Sequence, residues 1–373
     1  MKFDIFNEGG RFKIAFFSRE AFGNILLSDK NILRIAEVND FEIYLLSLGE
    51  DFSKIMRGLP LDQDRLVYNK QADFLYNYTF QYLRDNSIKI SIFFGSGFLW
   101  SEEFLEKIKK ISYTACYFAD DPEGSEDTSR YYVKNFHYAF CGGIFFNKTE
   151  RIEEKYREWG ARKSRFIPLG AAPVKYAPFL RSFSERDIDV VYVGGAYLKK
   201  ILRIFKLKKR LGIRMQLFGR GWNYVGKNIF KISIAKVVKG FYNIPEINEL
   251  PQDQLVELYQ RTKIGFNMHM SYGPSNQRLY ELPMNGVMQI CDCEHGLGEL
   301  YRIGKEIVVY ETISEAIEKI EYYLKHDEER MKIAKAGYLR AKSNYLLEHS
   351  FKKIKDEILD DIRNNYLLEY PVF

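Results

Sequence analysis

Along this chain, short runs of β-branched and aromatic residues alternate with stretches whose apolar positions recur every three to four residues. The short runs predict strands and the periodic stretches predict helices. In the first half the predicted strands are 13–17 (KIAFF), 42–48 (EIYLLSL), 90–94 (ISIFF), 114–119 (TACYFA) and 143–147 (GIFFN). Predicted helices cover 72–86, 104–111 and 129–139. Strand and helix alternating in this way indicate a parallel sheet with helices on its faces, so this half reads as one doubly wound α/β lobe.

The segment RFIPLGAAPVKYAPFLRSFSERD interrupts the alternation with prolines and lacks periodicity at its centre, which places an inter-domain linker around 168–186. A second series follows, with strands predicted at 189–195, 215–219, 239–244, 264–269, 287–292 and 306–310. Its helices are predicted at 198–212, 253–262, 276–286 and 313–326, and the tail from Ala334 to Leu359 also reads as helical. Two α/β lobes on one linker predict a cleft, and open parallel sheets take ligands beyond the carboxyl ends of their strands.

Composition agrees with two domains. A length of 373 residues exceeds what one core usually organises, and 28% charged residues with 10 prolines argue against disorder. No apolar run approaches the roughly 18 to 20 residues that span a bilayer. The N-terminal MKFDIFNEGGRFKIAFF mixes acidic residues and glycines into its first apolar stretch, unlike a secretory signal, so a cytoplasmic location is expected. Cys116, Cys141, Cys291 and Cys293 form no CxxC pair and read as buried thiols.

Charge is unevenly placed. Between Lys199 and Lys239 there is no acidic residue. Helical spacing puts Lys199, Arg203, Lys206 and Arg210 on one face, opposite Leu198, Leu202 and Phe205. Such a surface either meets anionic lipid at the inner face of a membrane, or a polyanionic acceptor, or is simply solvated. No nucleic-acid-binding module accompanies the charge, so no nucleic-acid partner is expected.

Candidate chemistry concentrates in the second half. The predicted strand IGFNMH ends in His269, a loop with Gly273 follows, and a helix is predicted to start near Asn276. Backbone N–H groups at that start, with Arg278 in the first turn, suit a diphosphate. Glu281, three residues after Arg278, can accept from a ribose diol. The same two residues could instead be an ordinary i,i+3 ion pair on a solvated helix. His269 could hydrogen-bond a donor phosphate or sugar hydroxyl, or be a satisfied structural histidine. The loop after VMQICD adds Asp292, Glu294 and His295 near the same edge. In VYVGGAYLKKILRIF, Gly194 and Gly195 let a phosphate approach the backbone, and Lys199 and Arg203 bring cations; Arg220 in FGRGW joins this group. The GxGxxG spacing of a dinucleotide site is absent. In the first half, Gly95, Asp120 and Asp121 follow strands and are candidates for an acceptor side, although DDP is also a common turn sequence.

The stretch from IGFNMHMSYGPSNQRLYELPMNGVMQICD through IEYYLKHDEERMKIAKAG resembles the C-terminal domain of GT-B glycosyltransferases, in particular the CgeB-like branch related to glycosyltransferase group 1. The resemblance is densest over 245–345 and weak in the N-terminal half. It implies a GT-B fold of two Rossmann-like domains facing across a cleft. The domains would be an acceptor-binding domain at 1–175, a nucleotide-sugar-binding domain at 176–345 and a C-terminal helix at 346–373 returning to the first. Asn276, Arg278 and Glu281 match its N-x-R-x-x-E pattern, in which the glutamate before the small-residue turn binds the nucleotide ribose. Group 1 enzymes carry a second glutamate eight positions earlier, where this chain has Gly273. The implied activity is transfer of a sugar from a nucleotide-sugar donor to a glycan, lipid or protein hydroxyl, by a retaining route and without a required metal or cofactor. A nucleotide-sugar 2-epimerase and a non-catalytic sugar-nucleotide or glycan-binding protein are the alternatives.

Overall fold

A computed structural model describes residues 12–18, 29–47, 77–94, 102–119, 126–195, 198–219, 250–269, 276–292 and 295–366. The chain forms two compact units, one of Met1–Leu169 with Leu347–Phe373 and the other of Gly170–Leu346.

The first unit is built on strands β1 (Phe12–Ser18), β2 (Phe41–Ser47), β3 (Ile90–Phe94), β4 (Tyr113–Phe118), β5 (Tyr138–Cys141) and β6 (Ser164–Phe166). They form one parallel sheet in the order β2-β1-β3-β4-β5-β6. Helices α1 (Asp29–Asn39), α2 (Glu102–Lys109), α3 (Glu126–Tyr132) and α4 (Ile152–Glu158) connect and cover these strands. Strands β3, β4 and β5 are buried along their whole length, which is why they read as uninterrupted apolar runs.

The expected strand at 143–147 and the expected helix over 129–139 both differ from the structure. Helix α3 ends at Tyr132, and residues 138–141 turn into strand β5 between β4 and β6. Residues 143–147 lie beyond the Gly142–Gly143 break, with only an isolated bridge from Phe145 to Arg151. Tyr138 to Cys141 are buried on both faces and complete their backbone hydrogen bonds in the ladder, which outweighs the helical spacing of the residues before them.

The second unit holds β7 (Ile188–Val193), β8 (Met215–Phe218), β9 (Thr262–Asn267), β10 (Met288–Asp292) and β11 (Val308–Tyr310), all parallel, in the order β11-β10-β9-β7-β8. Its helices are α5 (Leu198–Leu211), α6 (Gln252–Arg261), α7 (Arg278–Met284), α8 (Leu297–Leu300), α9 (Ile313–Lys325) and α10 (Asp327–Asn344). The tail is two helices rather than one: α10 ends before Tyr345, and α11 (Leu347–Asp361) belongs to the first unit. The first strand of this sheet, β7, lies beside the third, β9. The connections through α5 and α7 therefore leave in opposite directions and open a crevice at the carboxyl ends of β7 and β9. Residues 239–244, read as a strand from the sequence, lie outside the described residues.

Candidate functional site

The crevice at the β7 and β9 ends is lined from three directions. Strand β7 ends at Val193, followed by Gly194, whose N–H donates to the Phe218 carbonyl at 2.8 Å. A Cβ on Gly194 would stand 2.5 Å from Arg278 Nη1, so only glycine admits that guanidinium. Arg278, the first residue of α7, reaches across both strands. Its Nη1 donates to the Val193 carbonyl at 2.6 Å, Nη2 to the Met268 carbonyl at 3.2 Å and Nε to Asn267 Oδ1 at 3.0 Å. It also stands 5.4 Å from the Tyr192 ring centroid.

Helix α5 supplies a second cation. Lys200 is buried, and its Nζ donates to the same Met268 carbonyl at 2.6 Å. Burial, and then the charge of Arg278, push the Lys200 ammonium down to about 7, while Asp292 and Cys291 oppose the shift. Two positive groups therefore share one carbonyl at the carboxyl end of β9, and one of them is close to losing its proton. That is a costly arrangement for an empty protein and a favourable one for an anion.

Glu281 lies one turn along α7 and is buried. Burial raises its carboxyl pKa, with Lys175 and Arg278 pulling the other way. Among the described residues its carboxylate meets only Lys175 Nζ, at 4.0 Å. A buried carboxylate with no close hydrogen-bond donor keeps its acceptor capacity for a ligand's hydroxyls.

The third group is His269 with Asp292. The Asp292 Oδ2 accepts the His269 backbone N–H at 2.8 Å, and its Oδ1 faces His269 Nδ1 at 2.7 Å. Cys291 Sγ, on the adjoining residue of β10, is 3.4 Å from that Oδ1. His269, Cys291 and Asp292 form a compact set of three atoms that could bind a metal. However, 2.7 Å is a hydrogen-bond distance, whereas two ligands about 2.1 Å from a tetrahedral zinc stand about 3.4 Å apart. The set reads as a hydrogen-bonded dyad with a thiol beside it.

The glycosyl transferase-like family profile matches residues 200–356, which include Lys200, His269, Arg278, Glu281 and Asp292. The spore protein CgeB of Bacillus subtilis (strain 168) is 23% identical over 211 residues, covering 54% of this chain and 63% of that protein. A glycosyltransferase from Rickettsia africae ESF-5 superposes with a TM-score of 0.64 at 10% identity, covering 95% of this chain and all of the other. Anabaena Alr3699/HepE, solved in complex with UDP, superposes with a TM-score of 0.59 at 10% identity, covering 94% of this chain and all of the other. The chain has the GT-B fold, and its second unit is similar to the glycosyl transferase-like family.

For a GT-B protein, the placement of the residues anticipated from sequence is informative. His269, Arg278, Glu281, Gly194 and Gly195 all stand in the second unit, and the first four are in the groups just described. Asn276 spends its Oδ1 on the α7 start, accepting from Leu279 N at 3.2 Å and from Asn267 Nδ2 at 3.0 Å. Arg278 and Glu281 do not form the i,i+3 pair, because the guanidinium turns to the strand ends and the carboxylate to Lys175. Helix α7 starts two residues later than expected and is only seven residues long, with its Leu279 N–H already met by Asn276. The positive charge of the site therefore comes from side chains rather than from a free helix start. Arg203 is exposed, with Nη1 4.0 Å from Met268 Sδ. The Lys199 side chain, Arg220, Gly95, Asp120, Asp121, Gly273 and Glu294 lie outside the described residues, and His295 is exposed.

On α5, Arg203, Lys206 and Arg210 are exposed and Phe205 is buried as expected, but the apolar face is corrected at Leu202. Leu202 is 77% exposed, while Lys200, Ile204, Leu207 and Leu211 are buried. Lys200 shares their i, i+4, i+7 and i+11 spacing, and that is the signal that marks it in the sequence: a lysine on the apolar stripe. Asp292 is legible only as a residue at the end of its strand; its pairing with His269 comes from the β9–β10 register, in which Cys291 stands opposite Asn267.

Proposed function

We propose that the chain moves a sugar from a nucleotide-sugar donor to an acceptor hydroxyl, holding the donor at the β7–β9 crevice of its second unit. The observation that carries this reading is the convergence there of a buried carboxylate, Glu281, with two cations, Lys200 and Arg278, that share one carbonyl. In this reading Glu281 takes the ribose hydroxyls, and Lys200 and Arg278 face the diphosphate. HepE was solved with UDP, which makes UDP the first nucleotide to test.

Glycosyl transfer builds positive charge at the anomeric carbon and negative charge on the departing diphosphate. The cations need to act on the second of these. Lys200 pairs with the leaving oxygens in its ammonium form, and the incoming anion restores the proton that burial threatens. Arg278 is fixed by three hydrogen bonds and needs no reorganisation as charge develops. Charge compensation by these side chains makes a divalent metal unnecessary in this reading. A retaining outcome, with the leaving phosphate assisting the acceptor hydroxyl, belongs to the same reading, as does an acceptor that is a glycan, a lipid-linked sugar or a protein. A cytoplasmic location is part of it too. So is contact of the α5 surface with anionic lipid, although Lys206 already meets Ser314, and Arg210 and Arg214 meet Glu321. No described helix is long and apolar enough to cross a membrane.

The test is thermal stabilisation by UDP-, GDP-, TDP- and CMP-sugars, followed by turnover of the one that binds. A ligand at 100 times its Kd adds about 2.7 kcal/mol, a clear rise in melting temperature. One nucleotide class should stabilise the protein and be turned over in the presence of EDTA. No stabilisation by any of them overturns the proposal.

A further inference from the structure

The His269–Asp292 dyad has a feature that the diphosphate contacts do not use. Burial alone would raise the Asp292 carboxyl, yet the charge and hydrogen bonds of His269 hold it below its ordinary range. Asp292 is therefore an ionised acceptor, and the 2.7 Å contact places a ring proton on His269 Nδ1. Nε2 on the far side of the ring takes no part in the contact with Asp292. That atom is buried and has no hydrogen-bond partner among the described residues. Asn276 Nδ2, on the other side of residues 270–275, is a buried donor in the same condition. Leaving such atoms unmet costs about 1–3 kcal/mol each, so a structure that keeps both at a ligand crevice is matched to a ligand group.

The chemistry of the two atoms narrows that group. A sugar hydroxyl both gives and accepts a hydrogen bond, so it serves Nε2 whether that atom carries a proton or a lone pair, whereas an ionised diphosphate oxygen can only accept. We infer that the Asp292-held His269 shares a hydrogen bond with a hydroxyl of the donor's sugar through Nε2, and that Asn276 Nδ2 donates to the same sugar. His269 is then a sugar-binding residue, and Asp292 a positioning residue that acts through it. The inference rests on the donor-site reading above and adds to it a sugar subsite distinct from the diphosphate and ribose contacts.

Isothermal titration separates the two readings. The ligands are UDP, GDP, TDP and ADP, each alone and as its glucose, galactose and N-acetylglucosamine conjugates. The base and sugar that bind the native protein tightest define the test pair. In His269→Ala the bare nucleoside diphosphate should bind within twofold of native, and the sugar conjugate about tenfold more weakly. Asp292→Asn should show the same selective loss, smaller in size. His269→Gln, whose amide can accept at similar reach, should recover most of the conjugate's affinity and guards against a folding defect in the alanine variant. Equal loss on both ligands, or loss on neither, overturns the inference while leaving the donor site standing. Failure of every nucleoside diphosphate to bind the native protein overturns the donor-site reading, and the inference with it.

Discussion

Lys200 Nζ lies 2.6 Å from a carbonyl it shares with Arg278, and its ammonium is pushed down to about 7 by burial first and Arg278 second. The consequence is a pH-dependent affinity of definite sign. In the empty protein the amine is about half protonated near pH 7, and a bound diphosphate, being an anion, raises its pKa, so binding takes up a proton. Affinity for a nucleoside diphosphate should be greatest below pH 7 and fall by up to about tenfold per unit between pH 7 and 9. Titration in buffers of different ionisation enthalpy should show the uptake, and Lys200→Met should abolish both effects. At Glu281 the expected outcome is different. Glu281→Gln should weaken nucleotide binding at least about tenfold with little loss of fold stability, since the carboxylate has only a 4.0 Å contact to Lys175. Circular dichroism melts beside the titration check both halves of that statement. How far the sequence showed these residues depends on the residue. Glu281 stood out through the family resemblance, as the glutamate before a small-residue turn, and His269 because it ends an apolar run. Lys200 and Lys199 are adjacent, and which of two neighbouring lysines turns inward depends on the rotation of α5 against the sheet. The apolar stripe encodes that rotation only when Leu202 is recognised as exposed.

Among the elements, the join of α6, β9 and α7 depends on one buried arginine. Arg186 Nη1 donates to the carbonyls of Tyr259 and Thr262 at 3.1 and 2.7 Å, and Nη2 to that of Asn285 at 2.8 Å. Burial lowers its pKa to about 10, which leaves it charged at neutral pH. Arg186→Met removes three charge-assisted hydrogen bonds to buried carbonyls and should cost about 3 kcal/mol or more in urea unfolding. Gly286 lies beside it at φ +67, and a Cβ there would be 2.8 Å from Nη2. Gly286→Ala should therefore cost about 1–2 kcal/mol from the left-handed backbone alone, before any contact is counted. At this scale the sequence was readable wherever a strand was buried on both faces. It misled at Tyr138–Cys141, where a helix-like spacing ran into a strand whose pairing with β4 and β6 depends on residues far along the chain.

At the scale of the whole molecule, the first unit is closed by a helix from the far end of the chain. Phe351 on α11 packs its ring 5.2 Å from Phe16 and 5.5 Å from Phe94, and the buried Asp361 meets Arg162 at 2.5 Å and Lys163 at 2.6 Å. Phe351→Ala should cost about 3–5 kcal/mol, read as an early unfolding step by calorimetry or limited proteolysis. The alternation of strand and helix announced two doubly wound sheets, but nothing in local pattern tells which sheet a terminal helix will cover. The central claim is that the β7–β9 crevice of the second unit holds a sugar nucleotide. A crystal structure of the native protein soaked with the nucleoside diphosphate that stabilises it tests this most directly. Phosphate oxygens should lie within about 3 Å of Lys200 Nζ, with the ribose hydroxyls on the Glu281 carboxylate. A nucleotide bound elsewhere, with Lys200 and Glu281 keeping only their present partners, would contradict the account.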